Sequence, residues 1–350
     1  MNRVKIDRTL RKRIISKKYL PGERLPTRIE LEKEFDVTPT TIQQALNRLI
    51  HDGFVVAKGR NGTFVSEQLP HLSKIAIVLN RPLEKLIEHS HFYRSFMNEI
   101  KKVEMELDVK LVLIEDIFSW RSVKKVDSLL DDIKEKRVAG LIFPNFPFPL
   151  IDTDIVKKDG IARVAISSHC IKNIPAVWHN DEAFMRKTLT QLKQNNCKNP
   201  AFLVNEGNFI KMNEFIEKYS SENDIQVDSK YIQAFSLANK EPLFHLVELM
   251  FSKEQPQLPD SLVITDDSVV ELITEKLAAM GFNGIDDIKV ITLANFPTLP
   301  KSHLPIQSIG YEADKALKLC VEMIKDQIVG KEVPKLTELP ALFEHEIKGN

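Results

Sequence analysis

Apolar residues recur every four positions at Ile6, Leu10 and Ile14, with basic residues between them. Residues 4–18 are therefore predicted to form an amphipathic helix with a wet, positive face, ended by Pro21-Gly22. Thr27 followed by Glu30 is a capping-box pair, which predicts a second helix from Thr27 to about Phe35. Thr38-Pro39 opens a third, with Thr38 capping the orphan N–H groups and Pro39 at the first helical position, where its missing donor costs nothing. That helix runs to about His51 and stops before Gly53. Two short β runs, 54–57 and 63–65, flank Lys58-Gly59-Arg60-Asn61-Gly62, and Asn-Gly is a strong hairpin signal. Three helices and a hairpin in this order describe a winged helix-turn-helix.

Past residue 66 the period changes. Apolar β runs stand at 75–79, 111–114, 139–143, 163–166, 201–204, 261–264 and 289–293. Helix-period stretches lie near 92–107, 123–136, 181–195, 209–220, 241–252 and 268–280. Strands alternating with helices imply parallel βαβ units in a doubly wound sheet, and this stretch is long enough for two lobes. The predicted organisation is a winged head at 1–68, a linker at 69–73 and an α/β domain at 74–350. No internal repeat or low-complexity tract interrupts it.

Composition narrows the class. Of 350 residues 43% are apolar and 28% charged, which supplies a packed core and excludes bulk disorder. No run of 18 apolar residues occurs, the first residues are charged, and the three cysteines stand far apart without a CxxC. A cytoplasmic protein is expected, without membrane span, disulfide framework or cysteine-based zinc site. The net charge of zero hides a split: residues 1–70 hold 14 Lys/Arg against 8 Asp/Glu, and the remainder 35 against 41. A basic small segment on an acidic large one points to a polyanionic partner for the head.

The third predicted helix buries Ile42, Ala45, Leu46, Leu49 and Ile50 on one face and turns Thr40, Gln43, Gln44 and Asn47 to the other. Gln and Asn pair with adenine edges, and a Thr methyl touches thymine, so this face suits a major groove. Residues 21–65 closely resemble the winged-helix domain of GntR-type transcription regulators. The resemblance rests on Pro21-Gly22, Leu25-Pro26-Thr27, Val37-Thr38, Ala45-Leu46 with Leu49, Gly53, and Gly62-Thr63-Phe64-Val65. It implies DNA contact by Arg28, Thr38, Thr40, Thr41, Gln43, Gln44, Asn47 and Arg48, and by the wing residues Lys58, Arg60, Asn61 and Gly62. Further phosphate contacts are expected from Arg3, Arg8, Arg11 and Lys33. The sequence departs from the family where arginines are usual, at Ile29, Pro39 and Gln43, which predicts weaker dependence on guanine and an A/T-richer site.

Residues 176–206, 259–293 and 304–334 look like parts of the LacI/GalR-type ligand-binding domain, which has a periplasmic-binding-protein-like fold. The second stretch is the most specific, with Asp266-Asp267 after a strand, then a helix, Gly281 and a strand at 287–290. A GntR head on such a body resembles arabinose-responsive repressors. Ligands in doubly wound sheets sit beyond the carboxyl ends of the strands. That rule selects Asn80 and Arg81, Glu115 and Asp116, Asn145 and Phe146, Ser168 and His169, Asn205 and Glu206, Asp266, and Asn295. Phe92, Tyr93, Phe146 and Trp178 are the candidate stacking faces for a sugar. Lys211 is the nearest match to the family's usual Arg, and Thr292-Leu293-Ala294-Asn295 replaces its Gly-aromatic-Asp-Asp ending, so the effector is expected to be unusual, weak or absent.

No GxGxxG, Walker loop, GxSxG or HExxH occurs, so no enzyme, cofactor or metal is expected. His89 and His91 lie in an expected loop, and the adjacent pairs Asp131-Asp132, Asp266-Asp267 and Asp286-Asp287 read as caps and solvated charge. The expectation is a repressor that binds a pseudo-palindromic duplex operator as a homodimer and answers to a sugar-like small molecule. The alternatives are a ligand-independent DNA-binding regulator with a degenerate pocket, and a periplasmic-type sugar-binding module without regulatory role.

Overall fold

The computed structural model describes residues 3–117, 123–145, 147, 150–168 and 174–348. The head comprises α1 (Arg3–Ile15), α2 (Arg28–Phe35), α3 (Pro39–His51), the hairpin β1 (Val55–Ala57) and β2 (Thr63–Val65), and a short α4 (Pro70–Ser73). Both bonds of the capping box are present at α2: the Thr27 hydroxyl accepts from the Glu30 N–H, and the Glu30 carboxylate accepts from the Thr27 N–H at 2.7 Å. Thr38 corrects its expectation. It makes no side-chain cap; its hydroxyl pairs with that of Thr41 at 2.9 Å, while Pro39 needs no partner. Ile6, Leu10, Ile14, Leu25, Leu31, Ile42, Leu49 and Phe54 form one buried cluster, but Ile50 is exposed.

The hairpin pairs Val55 with Val65 and Ala57 with Thr63. Its loop is longer than a two-residue Asn-Gly turn: the Lys58 N–H bonds the Gly62 carbonyl at 2.8 Å around one 3-10 turn, and Gly62 sits at φ +104, open to glycine alone without strain. Residues 22–25 add a third, edge segment, with the Leu25 N–H on the Thr63 carbonyl at 2.9 Å and the Val65 N–H on the Glu23 carbonyl at 2.8 Å. The expected linker is folded: Leu69 and Pro70 are buried, and the His71 ring stacks on Phe54 at 5.9 Å.

Beyond the head run β3 (Lys74–Val78), α5 (Leu83–His89), α6 (His91–Asn98), α7 (Ile100–Leu107), β4 (Lys110–Ile114), α8 (Val123–Lys134), β5 (Gly140–Phe143), α9 (Asp154–Lys157), β6 (Ala162–Ile166) and β7 (Ala176–His179). Then follow α10 (Asp181–Gln194), β8 (Pro200–Asn205), α11 (Phe209–Glu222), β9 (Ile232–Phe235), α12 (Glu241–Met250), β10 (Ser261–Ile264), α13 (Val270–Ala279) and β11 (Lys289–Phe296). The chain closes with β12 (Ile306–Glu312), α14 (Ala313–Ile328), β13 (Leu336–Leu339), β14 (Leu342–Phe343) and α15 (Glu344–Lys348). All seven apolar runs are strands. Among the described residues β7, β9 and β12 to β14 are further strands that those runs did not include.

The chain forms two compact units. The first holds residues 1–82, 101–175 and 320–335, and so includes the head. Its strands β4, β3, β5 and β6 pair in that order, all parallel, with β5 and β6 buried along their length. The second unit holds residues 83–100, 176–319 and 336–350. Its sheet runs β14-β12-β11-β10-β8-β9, parallel except for β14, and β13 pairs with β7 in parallel.

Gly310 on β12 lets its strand approach β11 closely. A Cβ there would lie 1.8 Å from the Ala294 carbonyl oxygen of β11. Gly310→Ala is expected to lower the urea midpoint of the second unit by an amount equivalent to about 1–3 kcal/mol or more, the usual range for forced overpacking. An unchanged midpoint would show that β11 and β12 part without cost.

Candidate nucleic-acid interface and effector residues

On the head, Thr40, Gln43, Gln44 and Asn47 are all exposed on α3, as the helical period requires, and Thr41 is half-buried. They are partly organised already. The Gln43 amide donates to the Asn47 side-chain oxygen at 2.8 Å, and the Arg28 guanidinium reaches the Gln43 oxygen at 3.5 Å while also meeting Glu32 at 3.5 Å. Arg48, one turn further on, ion-pairs at 3.0 Å with Asp7 of α1. Asp7 is wholly buried, and loss of water pushes its pKa up despite Arg48 and Arg11. On the wing, Lys58, Arg60 and Asn61 are exposed, with the Lys58 ammonium 4.7 Å above the Phe64 ring. Arg24, which the sequence reading missed, lies on the edge segment with its guanidinium against Gly62. The signal was its place opposite Phe64, visible only once 22–25 pair with the hairpin.

The expected phosphate contact of Arg11 is corrected, and Arg8 is engaged by an acidic partner. Arg11 is buried, with its guanidinium on Asp52 and Glu135, and Arg8 is bound to Glu135 at 2.7 Å. Arg11 faces inward charges, whereas the Arg8 side chain is half exposed beside Glu135. Their partner lies more than 120 residues away in sequence, so local pattern could not reveal it. Lys33 is exposed, and the side chain of Arg3 lies outside the described residues.

The candidate effector residues divide between the units. In the first unit, Asn80 follows β3 with its side-chain oxygen buried and without a hydrogen bond, Arg81 and Asn145 are exposed, and Ser168 is half-buried. Phe146 and His169 lie outside the described residues.

In the second unit, Asp266 closes β10 by accepting from the Ser268 N–H and from the Asn205 amide, each at 3.0 Å. Lys211 is tied to buried Asp181 at 3.3 Å rather than standing free as an arginine substitute. Phe92 packs edge-on to Tyr93 at 5.3 Å and near Phe96 at 5.6 Å, with Tyr93 buried. Asn295 is also corrected: its backbone and side-chain nitrogens both donate to buried Asp267, at 3.1 and 2.9 Å, and its carbonyl accepts from Ser95 of α6 at 2.6 Å. Asp267, taken from sequence for solvated charge, is 3% exposed, and burial beside Asp266 raises its pKa to about 7. A stack the sequence did not disclose joins Trp178, His179 and Tyr311, with ring separations of 4.4 and 4.2 Å. Burial pushes the His179 imidazole down to about 4, so the ring is neutral at physiological pH.

A winged helix that turns amide and hydroxyl side chains outward on its third helix, beside a cationic wing, is the head of a duplex-DNA-binding transcription regulator. Residues 2–65 match the family described as bacterial regulatory proteins, gntR family, and form its DNA-binding domain.

The whole chain is similar to the arabinose metabolism transcriptional repressor of Geobacillus stearothermophilus, 19% identical over 345 residues covering 93% of this chain and 91% of that one. In fold it resembles a probable maltose operon transcriptional repressor from Staphylococcus aureus, with a TM-score of 0.60, 14% identity, and 79% of this chain and 97% of that one covered. It also resembles the transcriptional regulator CelR in complex with cellobiose, with a TM-score of 0.60, 13% identity, and 88% and 90% covered. A LacI family regulator from Lactobacillus casei with bound glucose gives a TM-score of 0.55 at 13% identity, over 78% and 98% of the two chains. The body thus has the α/β fold of LacI-type regulators, and the proteins matched are regulators rather than enzymes. Among the described residues no helix is long and apolar enough to cross a membrane.

Asp267 yields a pH prediction. Its folded pKa, about 7, lies above the ordinary 3.8, so its protonated form favours the fold. That contribution is complete below about pH 4 and is lost as pH rises through about 7. Asp267→Asn keeps the acceptor for Asn295, so its thermal midpoint should fall less than the wild-type midpoint between these two pH values. Parallel midpoints across that window would show that Asp267 does not titrate there.

Proposed function

We propose that the chain is a cytoplasmic repressor that binds a pseudo-palindromic operator as a homodimer and answers to a sugar-like effector in its body. The observation that carries this is the exposed row Thr40, Gln43, Gln44 and Asn47 on α3 beside the cationic wing, in a segment matched to the gntR family. Gln and Asn are suited to adenine, and no arginine stands at 29, 39 or 43, so the preferred half-site is A/T-rich. Arg28 braces Gln43, which braces Asn47, so part of the side-chain ordering on binding is already complete in the free head. The effector class rests on similarity to the arabinose repressor and on the fold shared with regulators solved with cellobiose and glucose.

Selection of genomic fragments by the full-length protein at fixed, near-physiological salt tests the reading, because phosphate contacts make affinity salt-dependent. One enriched A/T-rich palindrome is expected; sequence-blind binding or a G/C-anchored half-site contradicts it. On the enriched site, Gln43→Ala or Asn47→Ala should each cost about 1–3 kcal/mol and relax one position, while Lys58→Ala should weaken all sequences alike and lower the salt slope by about one.

A ligand-independent regulator is the second reading, favoured by Lys211 being held by Asp181 and Asn295 by Asp267. A binding sugar at a hundred times its dissociation constant stabilises the fold by about 2.7 kcal/mol. A panel of pentoses, hexoses and disaccharides at millimolar concentration should include one that raises the thermal midpoint. Flat midpoints throughout favour the ligand-independent regulator.

A further inference from the structure

The head is fastened to the body by buried charge. Arg11 of α1, its side chain 4% exposed, donates to the carbonyl of Glu135 at 2.7 Å and to its carboxylate at 3.1 Å. Its other arm is ion-paired with Asp52, the C-cap residue of α3, whose side chain is 2% exposed. Asp52 also faces Arg137 of the body at 3.4 Å, and Arg137 in turn holds Asp132 at 2.7 Å. Glu135 receives Arg8 as well, at 2.7 Å. The hydrogen bonds and charges of Arg8 and Arg11 outweigh the cost of burial and hold its carboxyl below the usual range. The Arg11 guanidinium lies 4.9 Å above Phe54, whose ring stacks on His71 of α4. Gln68 bonds Asp108, a further link from head to body.

A buried charge deprived of its partner is costly, so this arrangement holds one docked geometry and penalises partial separation. Separation would strip Glu135 of both arginines and Asp52 of Arg137. A head swinging on a loose tether would gain nothing by burying Arg11 and Asp52. The residues between head and body do not form such a tether, since Leu69 and Pro70 are buried and 70–73 are helical.

We infer that the head and the first unit of the body move as one rigid piece, and that the route Glu135–Arg11–Asp52, rather than the connecting segment, transmits the state of the body to the recognition helix. Glu135 follows the end of α8, and Asp52 ends α3, so a displacement at the end of α8 reaches the DNA-reading helix through one side chain. The docking is independent of the proposed function; the transmission rests on it.

The test uses the full chain with spin labels on Lys33→Cys of α2 and Lys124→Cys of α8, in a Cys170→Ser background, diluted with unlabelled protein. Both lysines are exposed, and the remaining cysteines, Cys197 and Cys320, are buried. The docked head gives one narrow distance. Arg137→Ala and Glu135→Gln leave the head cluster and the Arg11–Asp52 pair in place, so each should fold with an unchanged circular dichroism spectrum yet broaden the distance distribution at least twofold. A broad distribution in the otherwise wild-type chain, or an unchanged narrow one in both variants, overturns the docking without reference to DNA. On the palindrome selected above, the same variants should bind a single half-site as the wild type does and the paired half-sites at least about tenfold more weakly, because the heads are no longer pre-placed. Broadened distances with unaltered binding to the paired site would overturn the transmission while leaving the docking intact.

Discussion

A charge taken out of water has to be met by another charge, and Arg11 is where this protein meets that demand. Its guanidinium is enclosed by Asp52 of the head and Glu135 of the body, and over Phe54. Unpartnered, it would destabilise whichever surface held it; partnered, it joins the end of the recognition helix to the end of α8. The apolar cluster of the head supplies its stability, but it is indifferent to direction. The ion pairs have geometry, and they orient α3.

Outward from that point the head is economical. The face of α3 that is not packed carries amides and hydroxyls, and a brace of Arg28, Gln43 and Asn47 limits their freedom. Asp7, buried beneath Arg48, fixes another long side chain on the same helix. A DNA-reading surface whose side chains are already ordered loses less entropy on binding, which matters more here because the arginines common at positions 29, 39 and 43 are absent. In the body, two of the polar residues picked out as effector contacts are engaged by neighbouring side chains. In the second unit Asp267 holds Asn295, and Lys211 meets Asp181.

Much of this was legible in the sequence because its signals are local. The capping box at Thr27 and Glu30, the proline at the start of α3 and the glycines of the wing each act within five residues, and the structure has the elements they predict. Seven apolar runs became seven strands, and β5, β6 and β10 among them are buried along their whole length, where parallel strands are uniformly hydrophobic. What stayed hidden depends on distance in the chain. Arg8 and Arg11 read as solvated cations until Glu135 is placed beside them, and Asp267 reads as surface charge until α6 and β11 close over it. Thr38 makes no side-chain cap, and its hydroxyl meets that of Thr41 one turn away. Strands β7 and β9, four residues each, were not among the apolar runs picked out.

The most direct test of the central claim, that α3 reads the major groove of duplex DNA through amide side chains, is replacement of single adenines in the selected site by 7-deaza-adenine. That change removes the N7 acceptor used by Gln and Asn and leaves base pairing and the phosphates intact. At one or two positions per half-site, affinity should fall by roughly fivefold or more, about 1 kcal/mol or more for the N7 bond lost. Uniform affinity at every substituted position would mean that Gln43, Gln44 and Asn47 make no such contact, and that the head recognises its site by shape or charge alone.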